Sequence, residues 1–372
     1  MKTKRLVFAG CLCLLFVVSL ALPQRSSAQT SASHRLEFSY AVDQNSNSIF
    51  GYKVGANGAL TPLNNPSFPT GNAPNGVAVD PSGKFVYVVN LLDNNISGYA
   101  IDGNGGLKPV PGSPFAAGSG PGWITTDPTG RYVYVANCAA LCSGSGQGSV
   151  SGYAINKSTG TLVPVPGSPF TAEQIPYAVA VDPTGGFAYV ANFNSSTISV
   201  FKIDQCSGSL WASTQSVPTG GTSPLALTLD PQGRFLYVDN TGSNNVSAFA
   251  VGSNGTLTAV PGSPFASGDS TGGVAVDLSG SFVYVAQGSE VLGYSIGMGG
   301  VLTPLAGSPY AAPDFLVSLI LDQTGRFVYG AATSVGVAGF AIDAATGNLT
   351  AVTGSPFAAG GNTFSVTTTM GH

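Results

Sequence analysis

The stretch that decides the fold reads Val77-Ala78-Val79-Asp80-Pro81-Ser82-Gly83-Lys84-Phe85-Val86-Tyr87-Val88-Val89-Asn90. Its turn at residues 80–83 suits a tight reversal, because Asp bonds backbone amides, Pro fixes φ and Gly accepts a positive φ. Further copies of the turn, two of them without the Pro, begin at aspartates 127, 182, 230, 277 and 322, at spacings of 47, 55, 48, 47 and 45 residues. A period of this length predicts a repeat architecture.

Each turn joins two short β-forming runs, and two further runs follow before the next turn, such as residues 96–101 and 107–110. Most units close with Gly-Ser-Pro-Phe or Gly-Ser-Pro-Tyr, at residues 112–115, 167–170, 262–265, 307–310 and 354–357. Four antiparallel strands in roughly 50 residues are typical of a propeller blade. The sequence therefore predicts an all-β propeller of four-stranded blades.

The two ends of the chain predict the number of blades. Residues 38–43 match the second strand of the unit without a first strand before them, and residues 364–368 match a first strand without a second strand after them. Paired with each other, these segments complete one blade and leave no open sheet edge. Second-strand matches begin at Phe38, Phe85, Tyr132, Phe187, Phe235, Phe282 and Phe327. We therefore expect seven blades in one domain, residues 29–372.

Residues 1–28 have the layout of a secretory signal peptide. Lys2, Lys4 and Arg5 precede an apolar run, and small residues follow at Ser26-Ser27-Ala28. A membrane anchor is the alternative, but a polar, Ser-rich stretch comes next without a basic stop-transfer cluster. We expect cleavage and a secreted or periplasmic protein.

The remaining chain is acidic and poor in charge. The sequence has 13 Lys and Arg and 17 Asp and Glu, and four of the basic residues lie in residues 1–28, which leaves a net charge of 9 − 17 = −8. Such a surface has no electrostatic footprint for nucleic acid or anionic lipid. Arg131, Arg234 and Arg326 each follow a turn glycine, so we interpret them as hairpin surface charges. We expect a monomer, with no membrane association after cleavage.

Three cysteines follow residue 28, namely Cys138, Cys142 and Cys206. The blade order places Cys138 and Cys142 on one face of the propeller and Cys206 on the opposite face. Since disulfide Cα atoms approach within about 7 Å, any bond is expected between Cys138 and Cys142, with Cys206 left as a thiol. Whether the small loop between Cys138 and Cys142 closes stays open.

The repeats resemble the lactonase-type seven-bladed propellers, the family that includes 6-phosphogluconolactonase and carboxymuconate-cyclising enzymes. The resemblance rests on the pattern Val-Ala-Val-Asp-Pro-x-Gly-x-Phe-x-Tyr-Val-x-Asn at 77–90 and 179–192, and on Ala-Ile-Asp…Thr-Gly-x-Leu-Thr at 341–350. It covers essentially the whole chain after the leader. It implies an enzyme that opens or forms the lactone of a sugar acid. The sequence has no Gly-Lys-Ser/Thr phosphate loop and no Trp-rich pattern typical of quinone-cofactor propellers, so we expect no cofactor.

Lactone opening needs an activated water, a base and donors for the developing oxyanion. The two histidines, His34 and His372, lie near the ends of the mature chain. The ends of a chain are poor positions for a catalytic base, so we do not count these histidines as candidates. Carboxylates that break the repeat are better candidates, and Glu173, Asp269 and Asp314 fall in loops entering the innermost strands. We list these three as candidate catalytic residues, with ordinary surface carboxylates as the alternative. No spacing of His, Cys and Asp predicts a metal site.

Residues on the same face form the candidate ligand-binding set. The aromatic members near the starts of inner strands are Trp123, Tyr177, Phe315 and Phe364, and the amide members at the ends of second strands are Asn90, Asn137, Asn192 and Asn240. Aromatic rings with a few polar groups suit a small lactone or sugar-like ligand. The alternatives are packing between blades for the aromatics and capping of a turn for the asparagines.

Two functions therefore remain open. One is a lactonase-type hydrolase acting on a cyclic ester. The other is a non-catalytic propeller that binds a small ligand, a protein or a polysaccharide.

Overall fold

The computed structural model describes residues 37–139, 142, 146–268 and 271–370, which form seven antiparallel sheets. In chain order, the first three strands are β1 (Glu37–Asp43), β2 (Ser48–Val54) and β3 (Leu60–Pro69). Blade 1 contains β4 (Pro74–Val79), β5 (Phe85–Asn90), β6 (Asn95–Ile101), β7 (Leu107–Pro109) and β8 (Phe115–Ala116). Blade 2 contains β9 (Pro121–Thr126), β10 (Tyr132–Asn137), β11 (Gln147–Ile155), β12 (Leu162–Pro164) and β13 (Phe170–Gln174).

Blade 3 contains β14 (Pro176–Val181), β15 (Phe187–Asn192), β16 (Thr197–Ile203) and β17 (Leu210–Pro218). Blade 4 contains β18 (Pro224–Leu229), β19 (Phe235–Asn240), β20 (Asn245–Val251), β21 (Leu257–Ala259) and β22 (Phe265–Ala266). Blade 5 contains β23 (Thr271–Val276), β24 (Phe282–Gln287), β25 (Glu290–Ile296), β26 (Leu302–Pro304) and β27 (Tyr310–Ala311), with a 3-10 turn at Met298–Gly300. Blade 6 contains β28 (Leu316–Leu321), β29 (Phe327–Ala332), β30 (Gly336–Ile342) and β31 (Leu349–Ala351), and β32 (Thr363–Met370) follows.

The last strand closes the ring. Strand β32 pairs antiparallel with β1, with Val366 opposite Ala41, and so becomes the innermost strand of blade 7 in the order β32-β1-β2-β3. Each innermost strand also contacts the innermost strands of both neighbouring blades. The prediction of seven four-stranded blades closed by both ends of the chain is confirmed. No helix among the described residues is long and apolar enough to cross a membrane.

The Asp turns form as predicted and lie together on one face, which we call the turn face. In the first turn, Asp80 Oδ1 accepts hydrogen bonds from the amides of Lys84 and Phe85, at 2.9 and 2.7 Å. The fourth-position glycines of the six turns have φ between 62° and 73°, which L side chains rarely adopt. The guanidinium groups of Arg131, Arg234 and Arg326 lie 5.1–5.4 Å from the centroid of the ring that follows each of them. These arginines therefore belong to the turn face.

One contact joins each blade to the next all the way round the ring. A fully buried tyrosine of each second strand donates a hydrogen bond to the carbonyl of a turn glycine in the following blade, at 2.7–3.5 Å. The seven pairs are Tyr40–Gly105, Tyr87–Gly160, Tyr134–Gly208, Tyr189–Gly255, Tyr237–Gly300, Tyr284–Gly347 and Tyr329–Gly58. These glycines belong to turns between third and fourth strands. Since successive strands of a blade are antiparallel, those turns lie at the same end of the blade as the Asp turns, on the turn face.

The Gly-Ser-Pro-Phe/Tyr segments close the outer edge of five blades. In each of them the serine hydroxyl accepts a hydrogen bond from an amide in the middle of the third strand, as Ser113 does from Gly98 at 2.9 Å. The segment then pairs with the start of that strand through β8, β13, β22, β27 or the bridge between Phe357 and Val337. Blades 3 and 7 lack the segment and instead have long outer strands, β17 and β3.

Candidate functional site

The face opposite the turn face carries the entry loops and the starts of the inner strands, and we call it the cavity face. Each inner strand has a β-bulge near its start. In β14, Pro176 lies opposite Asn192 and Ala178 lies opposite Ala191, so Tyr177 between them has no partner in the ladder. The register shifts at the corresponding place in the inner strands of the other six blades. Because a bulge redirects a side chain without disrupting the rest of the sheet, this position is where the fold can present variable side chains.

Five of the seven bulge residues line a central cavity of about 560 Å³ on this face, namely Tyr177, Leu225, Gly272, Val317 and Phe364. It is lined by all four predicted aromatic residues, Trp123, Tyr177, Phe315 and Phe364, which come from blades 2, 3, 6 and 7. The rest of the lining is Ala178, Leu225, Ala226, Leu227, Thr241, Asn244, Gly272, Gly273, Val274, Val317, Ser318 and Leu319. The cavity therefore has aromatic and aliphatic walls with few polar groups.

Tyr177 is the one titratable residue among those that line the cavity in the described chain. Burial raises the pKa of its phenol above the usual 10, while a hydrogen bond with the Asn75 side chain acts in the opposite direction. Asn75 is itself buried, donates to the carbonyl of Gly122 at 2.7 Å and accepts from Gln44 at 3.1 Å. Tyr177 is therefore a positioned, neutral hydroxyl at ordinary pH and is not a base.

Glu173 is not in the cavity lining. It belongs to β13, which pairs with the third strand of blade 2, so the blade carries it outward from the innermost strands. Its Oε2 accepts a hydrogen bond from Thr197 Oγ1 at 2.6 Å, and hydrogen bonds from Ser216 and Ser195 also stabilise the carboxylate. Burial alone raises the pKa of Glu173, but these bonds together bring it below its ordinary value. The carboxylate thus links blades 2 and 3.

Asp314 stands beside Phe315 in the chain, yet it too is absent from the lining. Its Oδ2 accepts hydrogen bonds from the backbone amide of Ser334 at 2.6 Å and from Thr333 Oγ1 at 3.3 Å. Backbone hydrogen bonds from Ser334 and Phe315 lower the pKa of this carboxyl. Asp314 therefore fixes its entry loop to the turn after β29. The third candidate carboxylate, Asp269, lies outside the described residues.

The four candidate asparagines are buried and none of them lines the cavity. Asn90 shows their role, since its Nδ2 donates to Asn95 Oδ1 at 2.7 Å and to Ser97 Oγ at 2.9 Å. Its Oδ1 accepts from the amide of Gly71 in the entry loop at 3.1 Å. A Cβ at Gly71 would stand 2.8 Å from the Asn90 side chain. Asn90 thus ties an entry loop to its own blade. Asn137, Asn192 and Asn240 make the same kind of bond to third-strand side chains.

The sequence analysis did not predict that Leu225, Val317, Gly272 and Gly273 line the cavity. Leu225 and Val317 are typical strand residues, and glycine has no side chain that would indicate a binding role. The signal lay in an alignment of the seven inner strands, whose second residues are Asn75, Gly122, Tyr177, Leu225, Gly272, Val317 and Phe364. The β-bulge position holds six different residue types in seven blades, while the aspartate turn after the strand recurs in six.

The cysteines follow the predicted separation of the two faces. Cys138 and Cys142 form a disulfide with Cα atoms 4.8 Å apart, directly after β10 on the cavity face. Cys206 is exposed and takes no part in a disulfide. Its turn lies on the turn face, where Arg131 Nη1 donates to the neighbouring Gln205 carbonyl at 2.7 Å. Among the described residues, no group of three His, Cys, Asp or Glu side chains is arranged to hold a metal.

Several solved structures share this architecture. A candidate 6-phosphogluconolactonase from Bacteroides uniformis is 19% identical, with a TM-score of 0.76 over 91% of this chain and 100% of that one. The periplasmic gluconolactonase PpgL of Pseudomonas aeruginosa is 20% identical, with a TM-score of 0.75 over 91% of this chain and 100% of that one. Hydrazine synthase of Kuenenia stuttgartiensis is 18% identical, with a TM-score of 0.60 over 89% and 99%. At these identities the likeness concerns the fold, which serves unrelated chemistries.

No curated protein sequence matches the chain significantly. A model of a protein family does match it. The model described as "Lactonase, 7-bladed beta-propeller" matches residues 29–223 and 178–270. These residues include the first four Asp turns and the inner strands that supply Trp123, Tyr177 and Leu225. The chain belongs to the lactonase family of seven-bladed β-propellers.

Proposed function

We propose that the central cavity binds the uncharged ring of a sugar-acid lactone. The observation that carries this proposal is the composition of the lining: aromatic faces, aliphatic side chains and a few hydroxyl and amide groups. Aromatic rings offer large flat apolar surfaces, and the small number of polar groups can fix the orientation of a ring. A cavity of about 560 Å³ falls within the range typical of small-molecule sites.

The same lining favours a ligand without a phosphate group. Among the described residues that line the cavity there is no Lys, Arg or His. A phosphate taken out of water needs charged or hydrogen-bonding partners to offset its desolvation. We therefore expect D-glucono-1,5-lactone to bind more tightly than its 6-phosphate.

Hydrolysis is the reaction that the family suggests. A base would take a proton from water, the water oxygen would attack the lactone carbonyl carbon, and the ring C–O bond would break with a proton returned to the leaving oxygen. Tyr177 is a poor base because its pKa is raised. Glu173 and Asp314 lie outside the lining and are engaged in hydrogen bonds. We therefore propose Asp269, three residues before Gly272 in the sequence, as the base.

Binding without turnover is the second candidate function. One observation favours it: apart from the neutral Tyr177, the described lining has no group that could transfer a proton. In that case the cavity would hold a lactone, or another uncharged sugar-like ring, as a ligand.

One set of measurements separates these outcomes. The chain has two tryptophans, and Trp211 is 64% exposed on β17, so the variant Trp211→Phe leaves Trp123 as the reporter of the cavity. We expect a saturable change in its fluorescence on titration with D-gluconolactam, a lactam that resists hydrolysis. The absence of any change with this lactam, and with freshly dissolved D-glucono-1,5-lactone, would refute the proposal.

Turnover is then measured by titrating the acid released from D-glucono-1,5-lactone. Loss of turnover in Asp269→Asn, with turnover retained in the matched variant Asp314→Asn, supports the hydrolase. Saturable binding with a rate equal to the spontaneous reaction in buffer supports the binding module.

We also propose that residues 1–28 are removed on export. The disulfide between Cys138 and Cys142 supports this, because such bonds persist mainly in oxidising compartments. Protein purified from the culture medium or periplasm should then have Gln29 as its amino terminus. A chain that retains residues 1–28 in a cell extract, without an exported form, would contradict the proposal.

A further inference from the structure

A second groove lies on the outer rim of the ring, away from the central cavity. It runs between β17, the outermost strand of blade 3, and the turn before β21 in blade 4, and its volume is about 650 Å³. We call it the rim groove. Its lining includes Trp211, the second residue of β17, whose side chain is 64% exposed. The fourth strands of the other six blades have threonine, lysine or valine at this position, so the repeat does not require a large exposed ring there.

The rim groove lies where blade 3 lacks the Gly-Ser-Pro-Phe segment. In blades that have it, this segment contacts the residue just before the fourth strand of the next blade. Thr161 Oγ1 donates to the carbonyl of Pro111, directly before the segment of blade 1, at 3.3 Å. Ser209 Oγ donates in the same way to the carbonyl of Pro166, before the segment of blade 2, at 2.8 Å. The corresponding residue of blade 4 is Thr256, which lines the rim groove. The rim groove is therefore the place that the segment takes in five other blades.

Blade 7 also lacks the segment and provides an internal comparison. The groove between blades 7 and 1 measures about 270 Å³. Leu63 of β3 packs against the third strand of that blade, where a Cβ at Gly51 would stand 2.6 Å from Leu63 Cδ1. Thr61 takes the position that Trp211 has in blade 3. The missing segment alone thus leaves a small groove without an exposed aromatic ring.

Polar groups flank Trp211 on both walls of the rim groove. Lys202 of β16 lies directly opposite Trp211 in the ladder, so both side chains are on one face of the blade. Lys202 is the one charged residue among the described residues that line the groove, and it forms no salt bridge with a described carboxylate. The nearby Asp204 feels its charge but is not part of the lining. On the other wall, Asn254 accepts a hydrogen bond from the Thr256 hydroxyl through Oδ1, at 2.8 Å, which leaves its Nδ2 for a ligand.

We propose that the rim groove binds an oligosaccharide that contains a hexuronate residue. The indole ring of Trp211 offers a flat apolar surface to the C–H face of a pyranose ring. The ammonium of Lys202 complements the uronate carboxylate, and charge-assisted hydrogen bonds of this kind are the stronger ones. The Asn254 amide and the Thr256 hydroxyl can bond ring hydroxyls. The proposal does not depend on the function of the central cavity, because none of these residues lines that cavity.

The fluorescence of Trp211 reports on binding at the rim groove. The chain has two tryptophans, so the variant Trp123→Phe leaves Trp211 as the single reporter. Titration with tri-D-galacturonate or tri-D-mannuronate should give a saturable change. The fully methyl-esterified trimer, which has no charge, should bind about two- to fivefold more weakly, the effect of one exposed ion pair. In Lys202→Gln the acid and the ester should bind equally.

Calorimetric titration of the full chain compares Trp211→Ala with a matched control. Val163→Ala removes a side chain that is 56% exposed at the same position of blade 2. Trp211→Ala should weaken the binding of the trimer by at least about fivefold, while Val163→Ala leaves it unchanged. Both unliganded variants should melt close to the parent, because the replaced side chains are mostly exposed.

Several outcomes would overturn the proposal. The first is no change in Trp211 fluorescence with either trimer. The second is equal weakening by Trp211→Ala and Val163→Ala. If the methyl ester binds the parent as tightly as the acid does, the assignment to an acidic sugar is wrong. Self-association that Trp211→Ala abolishes, without binding of either trimer, would instead identify the rim groove as an interface between copies of this chain.

Discussion

On the turn face, one contact recurs seven times, from the tyrosine of each second strand to a glycine carbonyl of the next blade. On the cavity face, the residue at the β-bulge of the inner strand differs between blades, as Asn75, Tyr177, Leu225 and Phe364 show. Both faces belong to the same strands, and about six residues separate them along each inner strand.

The difference shows how the molecule separates folding from recognition. The turn-face contacts use backbone carbonyls and glycines at positive φ, which tolerate little substitution. The β-bulges of the cavity face lie outside the ladder, so their side chains can differ without disturbing the pairing of the strands. We therefore expect changes on the turn face to lower stability and changes on the cavity face to alter binding.

The largest effect is expected from removing residues 362–372. This deletion removes β32, the innermost strand of blade 7, and leaves β1 without its inner partner. The truncated protein should lose cooperative unfolding or melt at least about 10 °C lower, since several kcal/mol of strand pairing and burial are lost. Calorimetry of this variant beside one that lacks residues 371–372 alone is the measurement. Equal melting of the two variants would contradict closure by β32.

The ring of tyrosines should give the next largest effect. Tyr87→Phe removes a 2.8 Å hydrogen bond and leaves the buried carbonyl of Gly160 without that donor. We expect the free energy of unfolding to fall by about 1–3 kcal/mol. Tyr189→Phe is the matched control, because its bond to Gly255 is 3.5 Å long and contributes less. Urea denaturation would contradict this ranking if Tyr189→Phe cost more than Tyr87→Phe.

Replacing two of the turn glycines by alanine should lower the free energy of unfolding by different amounts. Gly185 has φ 69° and a Cβ added there meets nothing closer than 3.9 Å, so Gly185→Ala costs roughly 1 kcal/mol of backbone strain. At Gly83 the added Cβ would also collide with the carbonyl oxygen of Met370. Gly83→Ala should therefore destabilise more than Gly185→Ala in the same urea experiment. Equal costs would show that the contact between Gly83 and β32 is unimportant.

A smaller effect is expected from pH. Burial, helped by the nearby negative charge of Asp322, raises the pKa of Glu37 to about 7. Because this pKa exceeds the unfolded value of 4.5, the folded protein binds the proton more tightly, and this contribution to stability is complete below about pH 4.5 and lost as pH rises past about 7. The difference in melting temperature between pH 5 and pH 8 should shrink in Glu37→Gln. An unchanged difference would contradict the raised pKa.

The sequence predicted the turn face better than the cavity face, for physical reasons. The turn at Asp80 is local chemistry within six residues, and the blade count followed from two complementary ends of the chain. The role of Tyr87 was not predictable, since its partner Gly160 is 73 residues away in the next blade. The pattern recorded which residues recur and contained no information about contacts between blades.

At the site, the positions of the four aromatic residues within the repeat correctly indicated that they lie together at the cavity. Their role in binding a ligand stays a prediction. Glu173 was expected beside them because it precedes an inner strand, but β13 pairs with the outer part of blade 2 and takes Glu173 away from the cavity. Leu225 and Val317 were missed because a β-bulge leaves no mark in the periodicity of a single strand, and the variable position becomes visible only when the seven inner strands are aligned. Side-chain direction at a bulge depends on strand register, which the pattern alone does not fix.

The most direct test of the division between the two faces is a double measurement on two variants, Phe315→Ala and Tyr87→Phe. Phe315 is 40% exposed at the cavity, so its truncation should weaken the binding of D-gluconolactam while the melting temperature changes little. Tyr87→Phe should lower the melting temperature while the binding of D-gluconolactam at 10 °C stays within about twofold. If instead both variants lose stability and binding in proportion, the two faces are not separate and the account is wrong.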